Sequence, residues 1–304
     1  MVNGKLVLGK SINSVLNPAF NALKWEKSAF PEKLGSSLFC ADDIFPKLQQ
    51  FRADLVEHGL AEKPLFFAKV DVRSCFDTIP QDQLVQLMNS LLTASRYNSG
   101  MEISQRSSAF CADQTNDWLI GRDVASEKRD VILVDGVIQK HESRSKLIGL
   151  LREHVENNMV QIGKRLYRQR IGIPQGSIVS SLLCSFFYAD LEREVLGFTW
   201  NTGTLLLRLI DDFLLISTRR DVAQRFVEIM HAGVPQYGLA VKNEKTRTNF
   251  DSQVDGSSFA RLPQVTEFPY CGYAINTVNL NITRDEARRR QNSKFFPARW
   301  YEAY

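Results

Sequence analysis

Apolar and polar positions first alternate regularly at residues 65–72, LFFAKVDV, where Phe66, Ala68, Val70 and Val72 share one face and Phe67, Lys69 and Asp71 the other. A period of two predicts a strand, with Asp71 at its C-terminal end on the less apolar face. The turn RSCFDTIP follows, and Pro80 with Gln81 and Asp82 opens a predicted helix through Leu84, Leu87, Met88 and Leu91. From about 93 to 164 the pattern is mixed and polar, with short apolar groups such as DVILVDGV at 130–137, and reads as an insertion with small elements of its own. Residues 160–175, VQIGKRLYRQRIGIPQ, predict a hairpin or paired extended segments. After the loop GIPQGS at 172–177, two adjacent stripes recur at i, i+4 and i+8: Ile178, Leu182, Phe186, and Val179, Leu183, Phe187, Leu191. They predict an amphipathic helix to about Leu196. LLLRLIDDFLLIS at 205–217 is two apolar runs meeting at Asp211 and Asp212, which a tight β-hairpin explains best. A helix is predicted over 221–232 with Gly233 as its stop. A strand near 239–241, an extended region near 270–274 and a basic helix start over 284–294 complete the pattern.

Composition narrows the class without naming a chemistry. The 304 residues are 44% hydrophobic and 24% charged, with 17 Gly and 10 Pro, which excludes disordered, collagen-like and mini-scaffold readings. A formal net charge of +4 identifies no partner by itself. No apolar stretch approaches the roughly 18 residues of a membrane helix, so no membrane partner is expected. Cys40, Cys75, Cys111, Cys184 and Cys271 are odd in number and widely separated, which argues against a disulfide framework and for a reducing compartment. His58, His141, His154 and His231 form no ligand spacing and read as ordinary residues.

Adjacent acids are cheap: composition alone predicts roughly four such pairs in this chain. Asp42-Asp43, before IFPKLQQF, reads as a helix N-cap. Asp211-Asp212 differs, because nine of the twelve residues in 205–216 are Leu, Ile or Phe. Carboxylates in so apolar a setting cost several kcal/mol each unless a cation or donors compensate. A solvent-exposed turn between buried strands is the alternative. Asp71 adds a third carboxylate at another strand end. Three such groups suit a pair of Mg2+ ions for in-line phosphoryl displacement, with one ion activating a hydroxyl and one stabilising the leaving oxygen. In GIPQGS, Pro174 stiffens the loop, Gly176 permits close backbone approach and the following helix presents free N–H groups. A plain helix-entry turn is the alternative there.

In order, FFAKVDVRSCFDTIP, GIPQGSIVSSLLCSFFYADLE, LLLRLIDDFLLIS, GVPQYGLAVKNEKTRTNF and PYCGY closely resemble motifs A, B′, C, D and E of the telomerase reverse transcriptase family. They span residues 66–273, and the long segment between A and B′ resembles that family's insertion in the fingers domain. The resemblance implies an α+β fold: a right-hand polymerase palm with an antiparallel sheet backed by helices, partial fingers with an insertion, and the start of a thumb. The boundaries it implies are partial fingers at 1–64, palm at 65–92, insertion at 93–164, palm at 165–283 and thumb from 284 to 304.

Carried over by motif, Asp71, Asp211 and Asp212 match the catalytic triad holding two Mg2+ ions. Phe76 matches the aromatic gate beside the sugar, and Val72 and Arg73 would offer main-chain N–H groups to the triphosphate. Gln175, Gly176 and Ser177 match the loop near incoming nucleotide and template. Lys245 matches the lysine near the leaving pyrophosphate, with Lys242 a small shift away. Tyr270, Cys271 and Gly272 match the primer grip. Lys164, Arg165, Arg168 and Arg170 would contact the RNA–DNA backbone, and Arg284, Arg288, Arg289, Arg290 and Lys294 would begin a thumb helix; a solvated charged face is the alternative for both sets. The implied partners are a telomerase RNA template, a telomeric DNA 3′ end, deoxynucleoside triphosphates and further parts of the same polypeptide. The implied location is the nucleus, at telomeres. Fingers motifs 1 and 2, an upstream RNA-binding domain and a thumb extension are not found complete, so a catalytic-core fragment, inactive alone, is expected. A mobile-element reverse transcriptase that uses its template freely, or a non-catalytic nucleic-acid-binding module, are the competing readings.

Overall fold

The computed structural model describes residues 10–92, 143–254, 262 and 267–285, and the backbone of four short strands at 104–105, 138–139, 257–258 and 260–261. Its helices are α1 (Ile12–Ala29), α2 (Ile44–Glu57), α3 (Cys75–Thr78), α4 (Gln81–Leu91), α5 (Arg144–Glu156), α6 (Ser180–Glu194) and α7 (Arg220–Ala232). The strands are β1 (Ser37–Leu38), β2 (Phe66–Asp71), the pair β3 (Ser104–Gln105) and β4 (Ile138–Gln139), the hairpins β5 (Met159–Ile162) with β6 (Arg165–Arg168) and β7 (Thr204–Leu209) with β8 (Asp212–Ser217), then β9 (Arg247–Thr248), β10 (Gln253–Val254), β11 (Ser257–Ser258) and β12 (Ala260–Arg261). A three-stranded antiparallel sheet of β13 (Glu267–Tyr270), β14 (Tyr273–Asn276) and β15 (Ile282–Arg284) follows.

One sheet organises the fold, in the order β1-β7-β8-β2-β9-β12. Its centre, β7 to β9, is antiparallel, and the two edge pairings are parallel. Strand alternation sends side chains to two cores. Ala68, Val70, Leu206, Phe213 and Leu215 pack on one face among residues of α1, α4, α5, α6 and α7. Phe67, Leu207, Leu214 and Ile216 pack on the other against α2 and the β13–β15 sheet. Full burial of each such side chain contributes roughly 1.5–3 kcal/mol, so the sheet is fixed from both sides. The face carrying Asp71 is therefore covered as well, and Asp71 emerges at its end.

Several sequence expectations change. α6 is buried almost all round, including Leu182, Leu183, Cys184, Phe186, Phe187 and Tyr188, and so is a central helix rather than an amphipathic one. A strand at 239–241 does not form; only the isolated bridges Val72–Val241 and Val234–Leu239 do. The chain turns there at Gly238, in the left-handed region, and a Cβ at that position would collide with the Thr78 carbonyl. Asp43 does not cap α2: its Oδ2 accepts from the backbone N–H groups of Phe39 and Cys40, at 2.8 and 3.0 Å, closing the preceding turn instead. Residues 282–284 are strand rather than helix, and the expected thumb helix beyond them lies outside the described residues, as does most of 93–142. α5, within the stretch read as an insertion, packs Leu147, Leu151 and Val155 into the helix-side core. Among the described residues no helix is long and apolar enough to cross a membrane.

One feature had no signal in the sequence. Arg208, on β7, is fully buried and pairs with the fully buried Glu192 of α6 at 2.6 Å. Glu192 also accepts from the Ser36 N–H at 2.7 Å and its hydroxyl at 2.8 Å, while Arg208 donates to the Ser185 carbonyl at 3.0 Å. This network fixes α6 against the sheet, with only Arg208 Nη1 left without a hydrogen-bond partner, and removing one member would strand the other charge at a cost of roughly 3–5 kcal/mol.

Candidate active site

Two adjacent strands deliver the carboxylates. Asp71 ends β2 and pairs directly with Asp212, the first residue of β8. Asp211 is not in a strand: with Ile210 it forms the two-residue turn between Leu209 and Asp212. Ile210 holds φ +57°, a costly conformation for a β-branched residue, at the point where the hairpin presents both aspartates. The Val72 N–H donates to the Asp211 carbonyl at 2.9 Å, so the turn is tied to the end of β2.

Each carboxylate is held differently. Asp71 is 5% exposed; Lys245 Nζ donates to its Oδ2 at 3.0 Å and Lys242 Nζ lies 3.1 Å from its Oδ1. Burial pushes the Asp71 carboxyl up, but the Lys245 and Lys242 ammonium groups outweigh it and hold its pKa below the usual value. Lys245 is correspondingly raised by its bond to Asp71 and stays protonated. Asp211 is raised, by burial first and then by the charges of Asp212 and Asp71. Asp212 Oδ2 is met by Lys69 Nζ at 3.3 Å and by the Cys271 thiol at 3.8 Å, while its buried Oδ1 has no hydrogen-bond partner. Burial and the charge of Asp212 push the Cys271 thiol up to about 12.

Among the described residues no three Cys, His, Asp or Glu side chains converge as a ready metal cage. The fit to divalent cations rests on other observations: hard oxygen donors on adjoining strands and the turn between them, burial and then the charges of Asp212 and Asp71 raising Asp211, and the orphaned Asp212 Oδ1. Together they leave negative charge that a cation would relieve.

The β13–β14 hairpin closes one side. Its turn, Cys271-Gly272, has φ +49° and +86°, the left-handed pair of a tight hairpin. The Tyr270 hydroxyl donates to the Asp212 carbonyl at 3.0 Å, joining this hairpin to β8. A cavity of about 600 Å³ lies between them, lined by Ile210, Asp211, Asp212, Cys271, Gly272 and Tyr273 among others.

The GIPQGS loop reaches the site through α3. Gly172 donates to the Ile79 carbonyl at 2.8 Å and Ile173 to the Phe76 carbonyl at 2.7 Å. A Cβ on Gly172 would stand 2.5 Å from the Phe76 oxygen, so close approach is required there, not at Gly176. Gly176 faces open space and is demanded instead by φ +82°. Gln175 donates to Asp77 at 3.0 Å, and Phe76 is half-buried on the helix-side core. The Gln81 amide, at the start of α4, donates to the carbonyls of Val155 and Gly172, both at 2.9 Å.

The expectation that Val72 and Arg73 offer N–H groups to a triphosphate is corrected: those groups donate to Asp211 and, at 2.7 Å, to Ala240. Lys164, Arg165, Arg168 and Arg170 are exposed on and beside the β5–β6 hairpin; Arg168 and Arg170 line a separate cleft with Pro80, Asp82 and Glu156. Two contacts were not foreseen from spacing: Lys69 at Asp212, and His154, whose Nε2 lies 2.9 Å from Ser177 Oγ.

A family model described as reverse transcriptase (RNA-dependent DNA polymerase) matches residues 136–275. The chain is 31% identical over 295 residues to telomerase reverse transcriptase of Canis lupus familiaris, covering 90% of this chain and 26% of that protein. It is 31% identical over 302 residues to that of Bos taurus, covering 93% and 27%, and 30% identical over 259 residues to that of Arabidopsis thaliana, covering 73% and 22%. The chain thus spans about a quarter of the length of these relatives. Among solved structures, apo telomerase of Candida tropicalis superposes with TM-score 0.67 at 21% identity, over 90% of this chain and 41% of that one. Telomerase of Candida albicans in complex with a TWJ fragment of telomeric RNA gives TM-score 0.64 at 19% identity, over 90% and 38%. These structures share the mixed α+β fold with its largely antiparallel central sheet.

Proposed function

We propose that this chain, similar to telomerase reverse transcriptases and matched over residues 136–275 by a reverse transcriptase model, is an RNA-templated DNA polymerase core that adds deoxynucleotides to telomeric DNA 3′ ends. The pairing of Asp71 with Asp212 across β2 and β8, with Asp211 in the adjoining turn, carries the reading. Asp71, Asp211 and Asp212 would hold two Mg2+ ions. When bound, these ions lower the pKa of the primer 3′-hydroxyl and stabilise the leaving oxygen of the triphosphate.

The chain's own groups divide the remaining work. Lys245, kept protonated by Asp71, holds a proton at Nζ that suits the leaving pyrophosphate. Phe76, on the α3 turn, stands as the gate beside the sugar, and Gln175, Gly176 and Ser177 form the open side of the nucleotide loop. Val72 and Arg73 act here by fixing the end of β2 against Asp211 and Ala240. Tyr270, Cys271 and Gly272 support the primer end beside Asp212. Lys164, Arg165, Arg168 and Arg170 face solvent, where a nucleic-acid backbone is reachable. An RNA partner, and action in the nucleus at telomeres, belong to the same proposal; the Candida albicans relative is solved with a fragment of telomeric RNA.

Primer extension on an RNA template tests the reading. Single-nucleotide addition that requires Mg2+ and disappears in the Asp211→Ala, Asp212→Ala variant is the expected result. Unchanged nucleic-acid binding in that variant, with no metal-dependent addition by the unaltered chain or by a longer polypeptide containing it, would leave a binding module as the function.

A further inference from the structure

The spacing of the four histidines singles out none of them, but the fold puts one beneath the nucleotide loop. His154, in the last turn of α5, is 6% exposed, and its Nε2 lies 2.9 Å from Ser177 Oγ. Its Nδ1 is buried and has no hydrogen-bond partner. Ser177 Oγ also accepts from the Val179 N–H at 3.3 Å, and Ser180 donates its one hydroxyl proton to the Pro174 carbonyl.

Donor counting then fixes the arrangement. A neutral imidazole carries one ring proton, and a serine hydroxyl has one proton and two lone pairs. An N–H buried at Nδ1 without an acceptor is rarer and costlier than a bare lone pair there. The ring proton therefore belongs on Nε2, donating to Ser177. With His154 Nε2–H and Val179 N–H on its two lone pairs, Ser177 keeps its own proton to donate, either to the Ser180 oxygen 3.2 Å away or out of the loop on the half-exposed side next to Gly176.

We propose that His154 is a positioning residue: its Nε2–H keeps the Ser177 hydroxyl in the donor role, free to turn from Ser180 to the incoming deoxynucleoside triphosphate. The role rests on the polymerase reading for its ligand, while the orientation itself does not. Gln81, donating to Val155 beside His154 and to Gly172 in the loop, keeps α5 and the loop in register for this contact.

The test compares His154→Phe, His154→Gln and Ser177→Ala with the unaltered chain, each checked by thermal melting. Losing one hydrogen bond of about 1 kcal/mol predicts that His154→Phe raises KM for the deoxynucleotide about fivefold with little change in kcat. Ser177→Ala matches that effect, the double variant is no worse than either, and His154→Gln, which keeps an N–H donor, recovers most of it. Nitrogen-15 spectra of the imidazole show the Nε2–H tautomer, and Ser177→Ala weakens that preference. An Nδ1–H tautomer, an unchanged KM in a folded His154→Phe protein, or failure of His154→Gln to rescue would overturn the proposal. If neither the unaltered chain nor a longer polypeptide containing it extends a primer, the polymerase reading falls separately, and the tautomer still decides whether His154 orients Ser177.

Discussion

Asp71 and Asp212 occupy one rung of the antiparallel β2–β8 ladder, two like-charged side chains directly opposite each other. Such pairs destabilise a sheet, and this one persists with three lysines around it: Lys242 and Lys245 on Asp71, Lys69 on Asp212. Asp211, beside them in the turn, has no lysine within ion-pair distance among the described residues. The Asp211→Asn protein is therefore expected to melt about 2–4 °C higher without metal, the shift that roughly 1 kcal/mol produces in a domain of this size. Nucleotide addition is expected to fall to background in the same protein. A lower melting temperature would mean that the ionised carboxylate supports the fold.

The positive φ of Ile210 gives a second expectation. Ile210→Gly removes the steric penalty of a β-branched residue, which is of order 1–3 kcal/mol, although glycine's freedom in the unfolded chain offsets part of the gain. Stability is expected to hold or rise slightly while extension falls, because the turn no longer fixes Asp211 relative to Asp212. Equal losses of stability and activity would show that the Ile210 side chain, packed on the helix-side core, matters more than its backbone.

Gly172 and Gly176, four residues apart in the chain, should separate cleanly. Gly172→Ala places a Cβ against the Phe76 carbonyl and the Asp77 backbone and is expected to abolish soluble expression or lower stability by more than about 3 kcal/mol. Gly176→Ala meets no neighbour and costs only the left-handed backbone, about 1–2 kcal/mol. Chemical denaturation of both variants checks the order, and a reversed order would contradict the loop geometry.

The burial of His154 sets a pH dependence. Desolvation holds its pKa below the ordinary value of 6.5, so the unfolded chain takes up the proton first as pH falls. Its contribution to stability is complete above about pH 6.5 and is lost as pH drops through the folded value. His231 is lowered by burial in the same way and acts in every variant. Melting curves from pH 7.5 down to 5.5 should therefore fall less steeply for His154→Phe than for the unaltered protein; identical slopes would place the loss elsewhere.

Much of this architecture was legible because it depends on local period. The strand at 65–72, the hairpin around 211 and the helices after residues 80, 177 and 220 all announce themselves in alternating or helical spacing. What local pattern could not divide was the aspartate pair: one residue of turn geometry puts Asp211 in the turn and Asp212 in the ladder. Arg208 and Glu192 escaped because a charged residue in an apolar run carries no label for its partner, here on a different element. Val72 and Arg73 were misassigned because spare N–H groups at a strand end can be counted only once the neighbouring chain at Ala240 is in place. His154 and Lys69 were missed for the same reason, since their partners are set by the fold rather than by spacing.

The bond from the Tyr270 hydroxyl to the Asp212 carbonyl ties the β13–β14 hairpin to the strand that carries Asp212. On the polymerase reading, this tie opposes relative motion of the two parts as the product advances after each addition. The nucleic-acid duplex would then slip across a floor that stays largely still. The Cys271-Gly272 turn would be the reference against which each one-nucleotide step is registered.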